Sequence, residues 1–319
     1  MKKYLITGFS GFVSYHFLSY LNKLKIPALI KGLDIIEPEF DVSGFEYVKC
    51  EFEKADLLRV DRLKEILKDY LPDYILHLAS YSSVAYSWEN PVESFKNNTN
   101  IYLNIIETVR KARLDCRILS IGSSEMYGDV GSDQLPLRED NILKPVSPYA
   151  VARVAQELIS KIYVDSYGLD IVMTRSFNHI GPGQKDIFVV SSFAKQIAAI
   201  KKYNKNNAIK VGDISIIRDF TDVRDVVSAY YLLLQKGGQG QAYNICSGSG
   251  FSLGQVINVM GQLMRVEFQI NIDRSLIRPN DNHIIVGSND KIKKEIGWEP
   301  SYRLDQSLND ILNYWYQKV

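Results

Sequence analysis

The sequence predicts a doubly wound α/β fold: a parallel sheet with helices on both faces, followed by a smaller mixed α/β domain towards the carboxyl end. Three observations carry this. Short runs that are apolar on both faces alternate with amphipathic stretches through the first half of the chain, the pattern of buried parallel strands and crossover helices. A turn bearing glycines, Thr7-Gly8-Phe9-Ser10-Gly11, follows the first of these runs directly. The regular alternation then fails after about residue 176, where irregular loops containing Gly and Pro begin.

Taken in order, residues 4–7 read as a strand, 12–25 as a helix and 28–34 as a second strand ending on Asp34. A third strand is expected over 45–50, a helix over 61–70 and a fourth strand over 74–79. The long pattern over 91–112 is helical, 117–121 is a fifth strand, 147–167 a helix and 170–174 a sixth strand. Beyond the break, helices are expected over 191–202, 222–235 and 305–317.

Composition narrows the function classes. Lys and Arg number 38 against 37 Asp and Glu, a formal charge of +1, which argues against a nucleic-acid binder. Hydrophobic residues make up 46% and charged residues 24%, enough to build a core and a cleft. Cys50, Cys116 and Cys246 are scattered and odd in number, neither a disulfide framework nor a zinc pattern. No signal peptide is readable, and no apolar run approaches the ~20 residues a membrane span needs. The expectation is a soluble cytoplasmic protein without a metal, a nucleic-acid partner or a membrane partner.

The glycines at the first strand–helix turn let a backbone approach a pyrophosphate, which the amino end of the helix then stabilises. Gly8 and Gly11 therefore mark a dinucleotide site, and Asp34 supports it. A carboxylate there accepts hydrogen bonds from adenosine ribose hydroxyls and repels a 2′-phosphate, favouring NAD(H) while NADP(H) remains possible. Asp56 is an adenine contact or an exposed loop aspartate. The third glycine position holds Ser14, the next smallest compromise for helix–sheet packing. On this reading residues 1–176 with 219–244 form the dinucleotide-binding domain, and 177–218 with 245–319 the smaller one.

Ser147-Pro148 is a strong helix start, serine as cap and proline in the first turn. Tyr149 and Arg153 follow four apart on one face of that helix. Ser123-Ser124-Glu125 follows the fifth strand at its carboxyl end, where α/β sheets hold ligands. Together they offer a hydroxyl to orient a carbonyl, a phenol to move a proton and a cation beside the phenol. Tyrosine ionises near pH 10 when free, so the neighbouring charge matters.

The segments TGFSGFVS, HLAS, GSSEMYG, SPYAVAR and RSFNHIGPGQ, in that order, resemble the extended short-chain dehydrogenase/reductases that act on nucleotide sugars, over essentially the whole chain. FNHIGPGQ and IRDFTDVRDVVSAY are most similar to the GDP-4-keto-6-deoxy-mannose reductases, relatives of GDP-mannose 4,6-dehydratase. The resemblance implies that Ser123 holds the sugar oxygen, Tyr149 is the acid/base, Arg153 its cation, and Glu125 the counterpart of a proton-shuttling carboxylate. It implies a cofactor site along Gly8, Gly11, Phe12, Val13 and Asp34, continued by Asp56, Leu57, Leu78, Ala79, Ser80 and Asn98. Tyr149, Arg153 and His179 would complete it. Ser82, Ser123, Asn178, Arg218 and Arg278 would hold the nucleotide-diphosphate sugar, and a homodimer pairing the 91–112 and 147–167 helices is implied.

Three positions depart from the family pattern. Arg153 stands where the family has lysine, which is not a conservative exchange. Ile101-Tyr102 replaces the usual Gly-Thr after Asn98, and Ser14 replaces the third glycine. The expected activity is reduction of a nucleotide-linked 4-keto-6-deoxy sugar, hexose or heptose, by NAD(P)H. The alternatives are a 4,6-dehydratase or epimerase retaining NAD, and a non-catalytic dinucleotide- or nucleotide-sugar-binding protein.

Overall fold

The computed structural model describes residues 1–204, 207–277 and 282–319 of the 319-residue chain. The amino half builds β1 (Lys2–Thr7), α1 (Phe12–Lys23), β2 (Ala28–Asp34), β3 (Val48–Lys54), α2 (Val60–Tyr70) and β4 (Tyr74–His77). Next come α3 (Val84–Glu89), α4 (Pro91–Ala112), β5 (Arg117–Ser123), α5 (Pro148–Tyr167) and β6 (Ile171–Ser176). Local chemistry sets several ends. Ser147 caps α5 by accepting the Ala150 amide at 3.2 Å, Pro148 opens its first turn, and Gly168 closes it at φ +71°, a conformation open to glycine.

The remaining chain forms β7 (Asn178–Ile180), α6 (Val189–Tyr203), β8 (Ala208–Val211), β9 (Ile217–Asp222), α7 (Val223–Lys236) and β10 (Ala242–Ile245). It ends with β11 (Gly250–Ser252), α8 (Leu253–Met264), β12 (Gln269–Ile272), β13 (Ile284–Ile285), α9 (Asp290–Ile296) and α10 (Leu304–Lys318). Ser252 and Gln255 start α8 with a reciprocal capping box.

Seven strands form the main sheet in the order β10-β6-β5-β4-β1-β2-β3, with every neighbouring pair parallel. Chain order reverses between β1 and β4, which opens a crevice at the carboxyl ends of those strands. Phe17, Leu18 and Tyr230 fill one face of the sheet from α1 and α7, and Ile66, Ile105 and Ile106 fill the other from α2 and α4. A smaller sheet, β11-β9-β13 with β7 also on β9, and the β8–β12 pair lie with a separate core. Phe193, Ile197, Val256 and Ile311 supply that core from α6, α8 and α10.

Three differences from the sequence reading have physical causes. The third strand runs over Val48–Lys54 rather than 45–50; it is the sheet edge and carries Lys49, Glu51, Glu53 and Lys54, so no apolar run marks it. The six-residue α3 and the buried β10 were not expected; the latter is only four residues and carries Asn244 in its middle. Finally, α9 and Trp298, within the stretch assigned to the smaller domain, pack into the core of the main sheet, where the Trp298 indole donates to the Asp225 carbonyl at 3.1 Å. Among the described residues no helix is long and apolar enough to cross a membrane.

Candidate active site

The glycine turn sits at the mouth of the crevice. Gly8 has φ +69°, and a Cβ there would come within 2.7 Å of the Ala79 nitrogen, so only glycine lets the first turn lie against the loop after β4. That loop is tied back by the Ala79 amide on the Thr7 hydroxyl at 3.3 Å. Asp34 ends β2 with its carboxylate accepting amides of Ser10 at 2.9 Å, Ile35 at 2.7 Å and Ile36 at 3.3 Å. These bonds fix its orientation beside the turn.

Phe12 and His179 stack, ring centres 5.8 Å apart and 20° between planes, joining α1 to β7 across the crevice. Val13 lies half-buried on the same first turn. Burial holds the His179 imidazole below its ordinary pKa, so it is neutral. Asp56 is exposed, with Oδ1 accepting the Leu58 amide at 2.9 Å; Leu57 is buried and its carbonyl accepts from the Asn104 amide at 3.0 Å. Leu78 and Ser80 continue the β4 loop, and Ser82 is exposed beyond it.

Asn98 is held by the loop after β4. It has no exposed surface, and its amide is engaged in both senses by the Tyr81 backbone, accepting at 2.8 Å and donating at 3.1 Å. It pins the loop that carries Ser80 and Ser82.

The polar constellation lies at the carboxyl end of β5. Ser123, 9% exposed, closes that strand and accepts the Glu125 amide at 3.2 Å. Glu125 lies in the short 3-10 turn Ser124–Tyr127 and meets the Asn282 amide at 3.5 Å. Tyr149, 6% exposed, is in the first turn of α5, which packs on β5. The Arg153 guanidinium carbon is 5.2 Å from the centre of the Tyr149 ring. Arg153 is itself 4% exposed and donates to the Ile121 carbonyl at 3.1 Å, to Gln156 Oε1 at 2.7 Å and to Ser80 Oγ at 2.5 Å. Its Nε is buried without a partner among the described residues.

Asn178 opens β7 half-buried, and Arg218 is buried on β9 with Nη1 on the Ile217 carbonyl at 3.0 Å. Arg278 lies outside the described residues. Gln156 was missed from the sequence, although a buried arginine requires several acceptors and a polar residue one turn along the same helix is the natural place to look.

The residues present fit a dinucleotide. The unpartnered Arg153 Nε–H is a buried donor awaiting an acceptor such as a ribose hydroxyl, and the Gly8–Gly11 turn leads into the amino end of α1, where anions are favoured.

Comparison with known proteins identifies the family and the fold. A GDP-6-deoxy-D-mannose reductase of Pseudomonas aeruginosa is 33% identical over 318 residues, covering 100% of this chain and 98% of that protein. A GDP-mannose 4,6-dehydratase of Yersinia enterocolitica is 24% identical over 98% of this chain and 93% of its own length. A solved structure described as RMD from Pseudomonas aeruginosa complexed with NADPH superposes with a TM-score of 0.88 at 33% identity, covering 100% of both chains. The family model of GDP-mannose 4,6 dehydratase matches residues 5–311, nearly the full fold with its crevice, glycine turn and tyrosine–cation pair, so the chain belongs to the GDP-mannose 4,6-dehydratase family.

Proposed function

We propose that this protein reduces the C4 ketone of a GDP-linked 4-keto-6-deoxy sugar with a reduced nicotinamide dinucleotide. The observation that carries the reading is Tyr149 held against the Arg153 charge near the end of β5, with the Ser123 hydroxyl on that same end. The similar reductase of Pseudomonas aeruginosa supports the reaction and substrate class. NADPH in its structural counterpart supports the cofactor class.

When bound, the nicotinamide supplies hydride to the carbonyl carbon. Ser123 orients the carbonyl oxygen by donating its hydroxyl proton. Tyr149 gives its phenolic proton to that oxygen as charge develops there, and the Arg153 cation stabilises the phenolate that remains until it is reprotonated from water. In this reading Arg153 would offer Nε–H to a ribose hydroxyl of the dinucleotide, and Gly8, Gly11, Phe12 and Val13 would hold its pyrophosphate. Asn178, Arg218 and Arg278 hold the sugar nucleotide's diphosphate in this reading, with Ser82 near the sugar. Asp34 makes NADH the preferred form, because its fixed carboxylate repels a 2′-phosphate. A homodimer forms across α4 and α5.

Purified protein incubated with GDP-4-keto-6-deoxy-mannose and NADH or NADPH tests this: consumption of the reduced nicotinamide matched by formation of a GDP-6-deoxyhexose is expected. Glu125 favours one other outcome, a 4,6-dehydratase. Turnover of GDP-mannose with no added nicotinamide, by protein that carries NAD through purification, would replace the reductase reading. Binding of both ligands without turnover of either would leave a binding protein.

A further inference from the structure

We infer that Gln156 is a positioning residue that aims Arg153 while leaving its charge uncompensated. The evidence begins with the chemistry of its amide. Gln156 is 1% exposed on α5, one turn beyond Arg153. Its Nε2 donates to Ser120 Oγ at 2.8 Å and to the Ile121 carbonyl at 3.2 Å. A carbonyl only accepts, so the amide nitrogen must face β5 and Oε1 must face Arg153, which it meets at 2.7 Å. The orientation is fixed by the partners.

The other Arg153 partners are also neutral, the Ser80 hydroxyl and the Ile121 carbonyl. Among the described residues no carboxylate pairs with it. The adjacent Glu157 is committed to Arg175, bonded by both its oxygens at 2.9 Å, and to Lys161 at 2.8 Å. A buried guanidinium held only by neutral acceptors keeps its full charge for Tyr149 and for a ligand, whereas a carboxylate at position 156 would cancel it.

Two departures from the family pattern meet at this residue. Arg153 is one. Tyr102 is the other: its hydroxyl bonds Ser160 Oγ at 2.5 Å, and Ser160 donates to the backbone carbonyl of Gln156 at 2.8 Å. Tyr102 on α4 therefore braces the turn of α5 that carries Gln156. The two substitutions form one connected polar assembly, and Gln156 is its centre.

The test is a double-mutant cycle on dinucleotide affinity, read by quenching of protein fluorescence with NADH and NADPH. Gln156→Met keeps the size and removes the bonds. Alone it is expected to weaken binding ~10-fold, the scale of one hydrogen bond to a charged group. In an Arg153→Met background the same change is expected to add less than about 2-fold, because its effect passes through the arginine. Equal losses in both backgrounds, or no loss in either, overturn the inference. Ser120→Ala, which loosens the same tether with Gln156 intact, gives the same pattern in smaller degree and serves if Gln156→Met does not fold. A second arm rests on the reductase reading: Gln156→Glu is expected to lower kcat with the sugar KM held within about 2-fold, and an unchanged kcat overturns the claim that the uncompensated charge matters. If wild-type protein does not turn over the keto sugar, that reading fails while the affinity cycle still decides the role of Gln156.

Discussion

Arg153 lies one helical turn beyond Tyr149, with its guanidinium carbon 5.2 Å from the centre of the phenol ring, and both are almost fully buried. This is the relationship that makes a tyrosine a usable proton donor, since a phenolate formed at that place meets a positive charge that water does not screen. Tyr149→Phe is expected to lower kcat by at least ~10²-fold, with NADH affinity within about 2-fold of wild type. Arg153→Ala is expected to weaken both. Full activity in Tyr149→Phe, measured as ketone-dependent NADH oxidation, would remove the catalytic assignment.

The proposed preference for NADH rests on Asp34. Its carboxylate is held by three backbone amides, so it cannot swing away from an incoming 2′-phosphate without losing them. NADH is expected to bind more tightly than NADPH, and Asp34→Ala to narrow the gap. Tighter NADPH binding in the wild type would refute the preference and direct attention to Lys54, the register partner of Asp34 on β3.

The α4–α5 pair presents an apolar face. Val92, Phe95, Val151, Leu158 and Ile162 are between 41% and 80% exposed, a clustering that single surface residues do not explain. Val154 on the same helix is half-buried. Light scattering is expected to give twice the chain mass at micromolar concentration, and Leu158→Glu with Ile162→Glu to give the chain mass with the fold intact. A wild-type monomer would count against the two-fold pairing.

The parallel core was legible because β1, β2, β5 and β6 each carry a short apolar run, such as Tyr4-Leu5-Ile6 and Ile171-Val172-Met173, and the starts of α4 and α5 because Pro91, Ser147 and Pro148 mark them chemically. The edge strand β3 was not, since its solvated face erases the apolar run that reveals its neighbours. At the site, the turn and the tyrosine–cation pair could be read from spacing alone. Spacing puts Asn98 near the crevice but says nothing of its burial against Tyr81. Gln156 was missed because its role exists only once β5 brings Ser120 and Ile121 beside α5.

Ser14 carries a small internal cost. It has no exposed surface and its hydroxyl is buried without a partner among the described residues. Ser14→Ala removes that hydroxyl while keeping the Cβ that fills the space. A gain of about 1 kcal/mol is expected, from the relieved polar burial and the better helix former, visible as a raised thermal midpoint. A fall in the midpoint would mean that the hydroxyl is satisfied in solution.

His77 makes stability depend on pH between the neutral range and mild acid. It is 1% exposed on β4, and burial, helped by the Arg153 charge, holds its pKa well below the ordinary 6.5, at about 3. Its Nδ1 lies 2.8 Å from the Thr7 hydroxyl, while Nε2 is buried with no partner among the described residues to take up a proton's charge. The folded form therefore keeps the ring neutral where the unfolded chain protonates it. The unfolded state binds more protons below 6.5, so stability is fully present above that value and falls as pH drops towards about 3. By pH 5 this single group costs about 2 kcal/mol. His16 and His179 are depressed by burial as well and act with the same sign. Glu107 and Glu157, held below 4.5 by their cationic partners, begin to contribute only at lower pH, so the loss between pH 7 and 5 belongs to the histidines. Urea midpoints are expected to fall across that interval, and His77→Gln, though less stable at pH 7, to show a shallower fall. An identical pH slope in the variant would show that His77 already exchanges its proton freely in the folded protein.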